Sequence, residues 1–287
     1  MTFLFALIAS LLGFGEPESP AEAEGSVTIS LADPRSAADR NGRPVSTARG
    51  ANRPLVVLDA GHGGRDPGAL SPFGGRLEKD VTLAIARAIR DELVASGRVR
   101  VALTRDGDQF IILQERYKVA RDLGADLFIS VHADAAPSND GARGATIYTL
   151  SEVASDREAA LLAAQQNDAD RIGGAPLSGD AGVNRILIDL AQRESMNISA
   201  DFASLLRREA SPFFPFRPDY HRFASLIVLK APDVPSILFE TGYLTNAIDT
   251  AYIHSPEGQK QIALGMRRAI EAHFARRLVA AGRGRGG

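Results

Sequence analysis

The chain has 287 residues, 45% of them hydrophobic and 24% charged, with a formal net charge of −2 and no cysteine. Such a composition can bury a sizeable globular core, and the near-zero charge gives no field that would recruit nucleic acid or an anionic membrane. The missing thiol excludes a cysteine nucleophile, Cys-ligated zinc and any disulfide framework.

Thr2–Gly15 carries an apolar run of about 12 residues, followed by small residues including Ala21-Glu22-Ala23, which is the pattern of a secretory signal. The run is too short for a comfortable membrane span. Residues 1–24 are therefore expected to be an export signal, although no Lys or Arg precedes the apolar run. Residues 25–53 read as a linker with a short strand at Ser26–Leu31. The folded domain is expected over residues 54–279, with a disordered tail at 280–287.

From Pro54 onward strands and helices alternate, the pattern of an α/β fold. Leu55–Asp59 reads as a strand running into a Gly-rich loop, Gly61–Gly75. Val81, Leu83, Ile85, Ile89 and Leu93 fall at helical spacing, and Gly97 sits where that helix would stop. Val99–Leu103 is a strand. Leu113, Arg116, Tyr117, Ala120 and Leu123 mark a second helix, ended by Gly124. Leu127–His132 and Gly144–Leu150 are strands. Residues 151–211 then break the rhythm as an inserted helical segment. It holds a helix at Ser155–Ile172, a loop around Gly173-Gly174-Ala175-Pro176 and a longer helix at Asn184–Glu209. An aromatic, proline-rich stretch follows at Pro212–Pro218. Ser225–Leu229 and Ser236–Phe239 read as strands, and Pro256–Leu278 as the last helix.

Three of these strands end on residues that can do metal chemistry: His62 just past the first, His132 and Glu240. In open α/β sheets ligands bind beyond the carboxyl ends of strands. Catalytic zinc takes three protein ligands, and two histidines with a glutamate form one standard set. His62 and His132 supply the imidazoles. Glu78 is the chosen carboxylate, since it opens the helix after the Gly-rich loop, although a carboxylate there could simply favour the positive end of a helix. Gly61, Gly63 and Gly64 are expected to leave the His62 imidazole uncovered. Glu240 follows four apolar residues and must be hydrogen-bonded, a metal ligand, or held near neutral for proton transfer. Asp134 either orients a ligand or caps its loop. His221 and Arg222 either face peptide carboxylates of a substrate or form a surface pair. His254 and His273 read as structural residues of helical surface segments. Phe213-Phe214-Pro215-Phe216 either packs under the insert or serves as a partner patch.

The run Leu58-Asp59-Ala60-Gly61-His62-Gly63-Gly64-Arg65-Asp66-Pro67-Gly68, with Glu78, resembles the opening motif of zinc-dependent N-acetylmuramoyl-L-alanine amidases. Ser130-Val131-His132-Ala133-Asp134 resembles that family's second histidine motif, and Ser236-Ile237-Leu238-Phe239-Glu240-Thr241-Gly242 its catalytic glutamate motif. The resemblance covers about Pro54 to Phe274. It implies a single α/β domain with a mixed, mostly parallel sheet flanked by helices. It also implies one Zn2+ per chain on His62, Glu78 and His132, with Glu240 as the catalytic carboxylate. The implied reaction cuts the amide between N-acetylmuramic acid and L-alanine in peptidoglycan, in the periplasm, for septal wall splitting.

In the cell-division branch of that family, an inserted helix blocks the zinc site until a partner with an inactive metallopeptidase-like domain relieves it. Ala159–Ile172 resembles that helix. The branch's zinc-reaching glutamate corresponds to Gln166, before Asn167, so a block here is steric or uses Asp168 or Asp170. No wall-targeting domain fits within residues 25–53. Nothing in the sequence demands more than a monomer. Two other readings stand beside the amidase: a zinc peptidase acting on stem peptides, and a wall-binding regulator without catalysis.

Overall fold

A computed structural model describes residues 45–47, 53–136, 139, 141–174 and 185–283. The expected export signal, the Ser26–Leu31 strand and residues 284–287 of the expected tail lie outside the described residues. The central sheet has seven strands among them: β1 (Val45–Thr47), β2 (Leu55–Ala60), β3 (Arg100–Leu103), β4 (Leu127–Asp134), β5 (Ala145–Leu150), β6 (Phe216–Ala224) and β7 (Ser236–Tyr243). Their order across the sheet is β1-β3-β2-β4-β7-β5-β6. β1 and β5 run antiparallel to their neighbours β3 and β7, and the other pairs are parallel. The expected linker therefore ends earlier than residue 53, because Val45–Thr47 pairs with β3 at the sheet edge.

Side chains alternate along each strand, so each strand feeds two separate cores. Val56, Leu58, Ile129, Val131, Ile237 and Phe239 point to one face. There they meet α1 (Glu78–Ser96), α5 (Arg185–Ala210) and α7 (Pro256–Arg283). Leu55, Val57, Phe128, Leu238 and Tyr148 point to the other face. They pack with α2 (Leu113–Asp122), α3 (Arg157–Asn167) and a 3-10 turn, Ile227–Leu229. The stripe Val81, Ile85, Ala86, Ile89 and Leu93 buries α1 on the first face, each large aliphatic being worth about 1.5–3 kcal/mol when fully buried.

The inserted segment is two different things. α3 and α4 (Ala169–Ile172) are the addition, bent apart at Asp168 within the expected single helix. α5 belongs to the core: Phe202, Ala203, Leu206 and Ala210 are fully buried against α7 and the sheet. Position in the chain could not separate them, because both are amphipathic and both fall between β5 and β6.

Two readings are overturned. Ser225–Leu229 is not a strand; its apolar end is the 3-10 turn, buried in the second core. The strand is Phe216–Ala224, most of it taken for loop. β6 is the last strand of the sheet, so it needs little apolar surface and tolerates Pro218. Sequence hydrophobicity followed burial there, not backbone pairing. A short helix, α6 (Ala247–His254), was also missed, although Asn246 caps it by accepting from Ile248 N and Asp249 N. His273 is buried beside Phe202 and Phe274, contrary to a surface position. Phe214 is buried against Phe216 and Phe239 and joins the first core, so the aromatic stretch packs inward.

Candidate metal centre

β2, β4 and β7 lie side by side, and their carboxyl ends deliver Gly61–His62, His132 and Glu240 to one edge. His132 and Glu240 are direct neighbours in the register. By alternation, Asp59, Ser130, His132 and Glu240 project from the face that carries α2 and α3.

The chain leaves β2 in an unusual turn. His62 has φ 60°, a left-handed conformation that costs a side-chain-bearing residue about 1–2 kcal/mol. Two buried arginines hold it. Arg116 donates to Ala60 O (2.9 Å), His62 O (2.8 Å), Ile111 O (2.9 Å) and the Asp59 carboxylate (3.0 Å). Arg105 donates to Ala60 O (2.9 Å), Gly61 O (2.8 Å), Gly107 O (2.9 Å) and Lys79 O (2.8 Å). Burial would raise the Asp59 carboxyl, but Arg116, Thr104 and Ser130 together hold it below its ordinary value.

The glycines do not leave His62 uncovered, since the ring is buried; they make room for other side chains. A Cβ on Gly61 would lie 2.3 Å from the His132 ring. One on Gly68, itself at φ 66°, would lie 2.6 Å from Glu78 Oε2 and 2.7 Å from His62 Cδ2.

Glu78 is the first residue of α1. Its Oε1 is 3.0 Å from His62 Nε2 and 3.0 Å from His132 Nδ1, and accepts from Ala133 N. Its Oε2 accepts from Ala69 N at 2.8 Å. The ligand atoms of His62, Glu78 and His132 all lie within 4.8 Å of one another, and all three residues are buried. His62 Nδ1 donates to Asp66 Oδ2 at 2.7 Å, which fixes the ring with Nε2 toward the cluster. Asp66 is anchored in turn by Gly68 N.

Could these residues hold a metal? Two imidazoles and one carboxylate match a zinc donor set. Burial lowers the His62 pKa, but Glu78 and Asp66 overcome it and lift His62 to about 9. Burial raises Glu78, yet the two imidazoles hold it well below the usual carboxylate range. Burial lowers His132. The cluster therefore attracts one positive charge, which a divalent ion supplies better than a proton. His132→Ala should weaken zinc binding by at least about 100-fold, the upper range for losing even an outer partner of a ligand. Elemental analysis after dialysis checks this, and a full metal complement would remove His132 from the ligand set.

A pH dependence follows for the metal-free chain. The folded pKa of His62 lies above its unfolded value, so its stabilisation is complete below about 6.5 and is lost as pH rises toward 9. The chelated protein should melt at progressively lower temperature between pH 6.5 and 9. A flat or rising melting temperature would contradict that arrangement.

Glu240 is 0% exposed, and among the described residues neither carboxylate oxygen has a hydrogen-bond partner. Burial, then the negative Asp134 and Glu78, push its pKa well above the ordinary value. The Thr146 hydroxyl across the β5–β7 register is also buried without a partner. Unsatisfied buried polar groups cost about 1–3 kcal/mol each, so this pair of orphans marks a place built for something else to bind.

Asp134 is raised to about 7 chiefly by burial and accepts from Ala135 N. His221 Nε2 lies 2.9 Å from Thr149 Oγ1, and Arg222 is buried rather than part of a surface pair. Asp59, Asp66, Arg105 and Arg116 were not identified as site supports from sequence. One signal was present: Arg116 falls on the buried stripe of α2 with Leu113, Val119 and Ala120.

The sequence profile of the N-acetylmuramoyl-L-alanine amidases matches residues 56–272. N-acetylmuramoyl-L-alanine amidase AmiC of Neisseria meningitidis is 39% identical over 80% of this chain and 56% of its own length. The amidase AmiA of Escherichia coli is 35% identical over 81% of this chain and 80% of its own length. Among solved structures, the catalytic domain of CwlV, an N-acetylmuramoyl-L-alanine amidase from Bacillus (Paenibacillus) polymyxa, superposes with a TM-score of 0.58 at 25% identity, covering 77% of this chain and 98% of CwlV's. This chain thus spans little more than half the length of the AmiC relative.

Proposed function

This chain belongs to the N-acetylmuramoyl-L-alanine amidase family, and from that premise we propose that it hydrolyses the amide between N-acetylmuramic acid and L-alanine in peptidoglycan, with one zinc ion on His62, Glu78 and His132. The observation that carries the reading is the partnerless carboxyl of Glu240 beside that ligand cluster.

Bound there, zinc would acidify water and polarise the scissile carbonyl. The chain's own residues do the rest. Asp66 and the two arginine clamps keep His62 aimed at the cluster. Glu240 takes a proton from the attacking water and returns it to the leaving L-alanine nitrogen. Without a metal, burial and then Asp134 and Glu78 push the Glu240 carboxyl toward its neutral form; a cation nearby favours its charged, proton-accepting form. Incubating peptidoglycan with the zinc-loaded chain and labelling new amino termini tests the reading. New L-alanine termini are expected, and termini of other stem residues would favour a peptidase.

We also assign α3 and α4 to autoinhibition. They lie on the same face of the sheet as Glu240, and several contacts fasten them. Asn167 donates to Ser225 O and accepts from Ile227 N, both at 2.8 Å. Asp170 accepts from Leu113 N, and Gly173 sits against the Phe110 ring. Gln166 is buried but neutral, so the block is steric. Leu161 and Ile172 are exposed on this segment and suit a partner that lifts it, expected to carry an inactive metallopeptidase-like domain. Among the described residues no helix is long and apolar enough to cross a membrane, and the proposed place of action is the periplasm. Asn167→Ala removes two hydrogen bonds worth about 0.5–1.5 kcal/mol each. Basal turnover should rise about 5- to 100-fold; unchanged turnover in a folded variant would end this assignment.

A further inference from the structure

One ionic cluster on the catalytic face is left over. The Glu158 carboxylate, in the first turn of α3, is held by three donors from the sheet. Arg217 Nη1 contacts Oε1 at 2.5 Å, Tyr243 Oη donates to Oε1 at 3.2 Å, and Arg222 Nη1 approaches Oε2 at 3.1 Å. The Arg217 and Arg222 side chains are largely buried, and Tyr243 is fully buried.

The charges do not balance without α3. Arg217 and Arg222 bring two positive charges. Asp219, on the same strand, answers one by accepting from Arg217 Nε at 3.1 Å and from Arg222 Nε at 3.1 Å. Glu158 answers the other, and Asp156, the cap of α3, stands 3.7 Å from Arg222. When α3 lifts, both of its carboxylates leave, and among the described ion pairs Arg217 and Arg222 keep only the half-exposed Asp219. A pair of guanidiniums with one carboxylate between them favours a second carboxylate in the vacated cradle.

Glu158 is also an imperfect occupant. Arg222 Nη1 is buried and poorly aligned toward Glu158, and it is shared with the Tyr148 hydroxyl beside it rather than committed to that carboxylate. The cradle keeps donor capacity that Glu158 does not use.

Its place in the sheet says what belongs there. Glu240 on β7 faces Thr146 on β5, and two residues along β5 Tyr148 faces Arg222 on β6. With strands about 4.8 Å apart and about 3.3 Å per residue, the backbones of Glu240 and Arg222 are roughly 12 Å apart. An extended peptide covers that span in about three residues.

We propose that Arg217, Arg222 and Tyr243 form a subsite for a carboxylate of the peptide leaving group, within about three residues of the scissile amide, and that Glu158 occupies it as an internal mimic while α3 is docked. The proposal rests on the amidase reading for the direction in which the peptide runs.

The test is calorimetric binding to the full zinc-loaded chain. The probes are a synthetic stem peptide beginning at L-alanine with free carboxylates, and the same peptide fully amidated. Glu158→Gln should bind the acidic peptide about tenfold or more tightly than the unsubstituted chain, as expected for freeing charge-assisted bonds. The amidated peptide, which benefits only from the loosened α3, should gain clearly less. Adding Arg222→Gln should erase the gain, and adding Tyr243→Phe, which removes only a hydroxyl, should reduce it. An equal gain for both peptides, or none for either, would overturn the proposal. Failure of the amidase reading would look different: acidic selectivity would persist while no lactyl amide was cut.

Discussion

Glu240→Gln should lower hydrolysis of peptidoglycan by about a thousandfold, within the range for loss of a positioned general acid–base, while zinc stays bound. The two halves of this result have separate causes. The atoms that could hold the metal are those of His62, Glu78 and His132, and Gln keeps the shape of the side chain on β7, so that cluster is undisturbed. Chemistry is lost because an amide can neither take the water's proton nor hand one to the leaving nitrogen. The same substitution should leave the melting temperature unchanged or raise it. The native carboxyl is fully buried with both oxygens unpartnered, an arrangement that costs stability and persists for function. Turnover within tenfold of the parent, with zinc bound, would remove Glu240 from its role. A large drop in melting temperature would mean that the carboxyl serves the fold.

Arg116→Ala should destabilise the chain by about 3–5 kcal/mol, the cost of breaking a buried ion pair from one side. For a domain of this size that is a fall of roughly 6–20 °C in melting temperature. The guanidinium answers Asp59, which among the described residues has no other charged hydrogen-bond partner, and three carbonyls, at Ala60, His62 and Ile111. Arg105 covers Ala60 O as well, but His62 O has no other donor among the described hydrogen bonds. The left-handed backbone at His62 should then relax, and zinc affinity should fall with stability. Arg116→Lys should recover little, since one ammonium cannot span four acceptors in a plane. The double variant Asp59→Asn with Arg116→Met should be less damaged than Arg116→Ala, because it removes both charges. Calorimetric melting with and without a chelator measures all of this. A shift of under about 2 °C for Arg116→Ala would show that the two clamps are redundant.

The parts legible in the sequence were those where chemistry and burial coincide. His62, His132 and Glu240 follow apolar strands, and the strand ends of a parallel sheet meet at one edge, so their convergence could be read from spacing and motif. Glu78 was legible because it opens a strongly periodic helix. The supports were not legible. Asp66 looked like one more polar residue of a loop, and its role appears only when Gly68 lets Glu78 and His62 close together. Arg105 and Arg116 serve backbone carbonyls, which leave no trace in residue type. β6 was mistaken for loop because an edge strand can be polar, and the apolar segment after it was mistaken for strand because it is buried. Splitting the 151–211 segment required knowing on which face each helix packs, and amphipathicity gives a face but not its partner.

The measurement that bears most directly on the proposed reaction is mass spectrometry of the products released from purified peptidoglycan by the zinc-loaded chain carrying Asn167→Ala. Free stem peptides beginning at L-alanine are expected, with glycan strands that retain intact lactyl carboxylates. Cuts inside the stem peptide, or no cut by a folded, zinc-bearing protein, would contradict the proposed reaction.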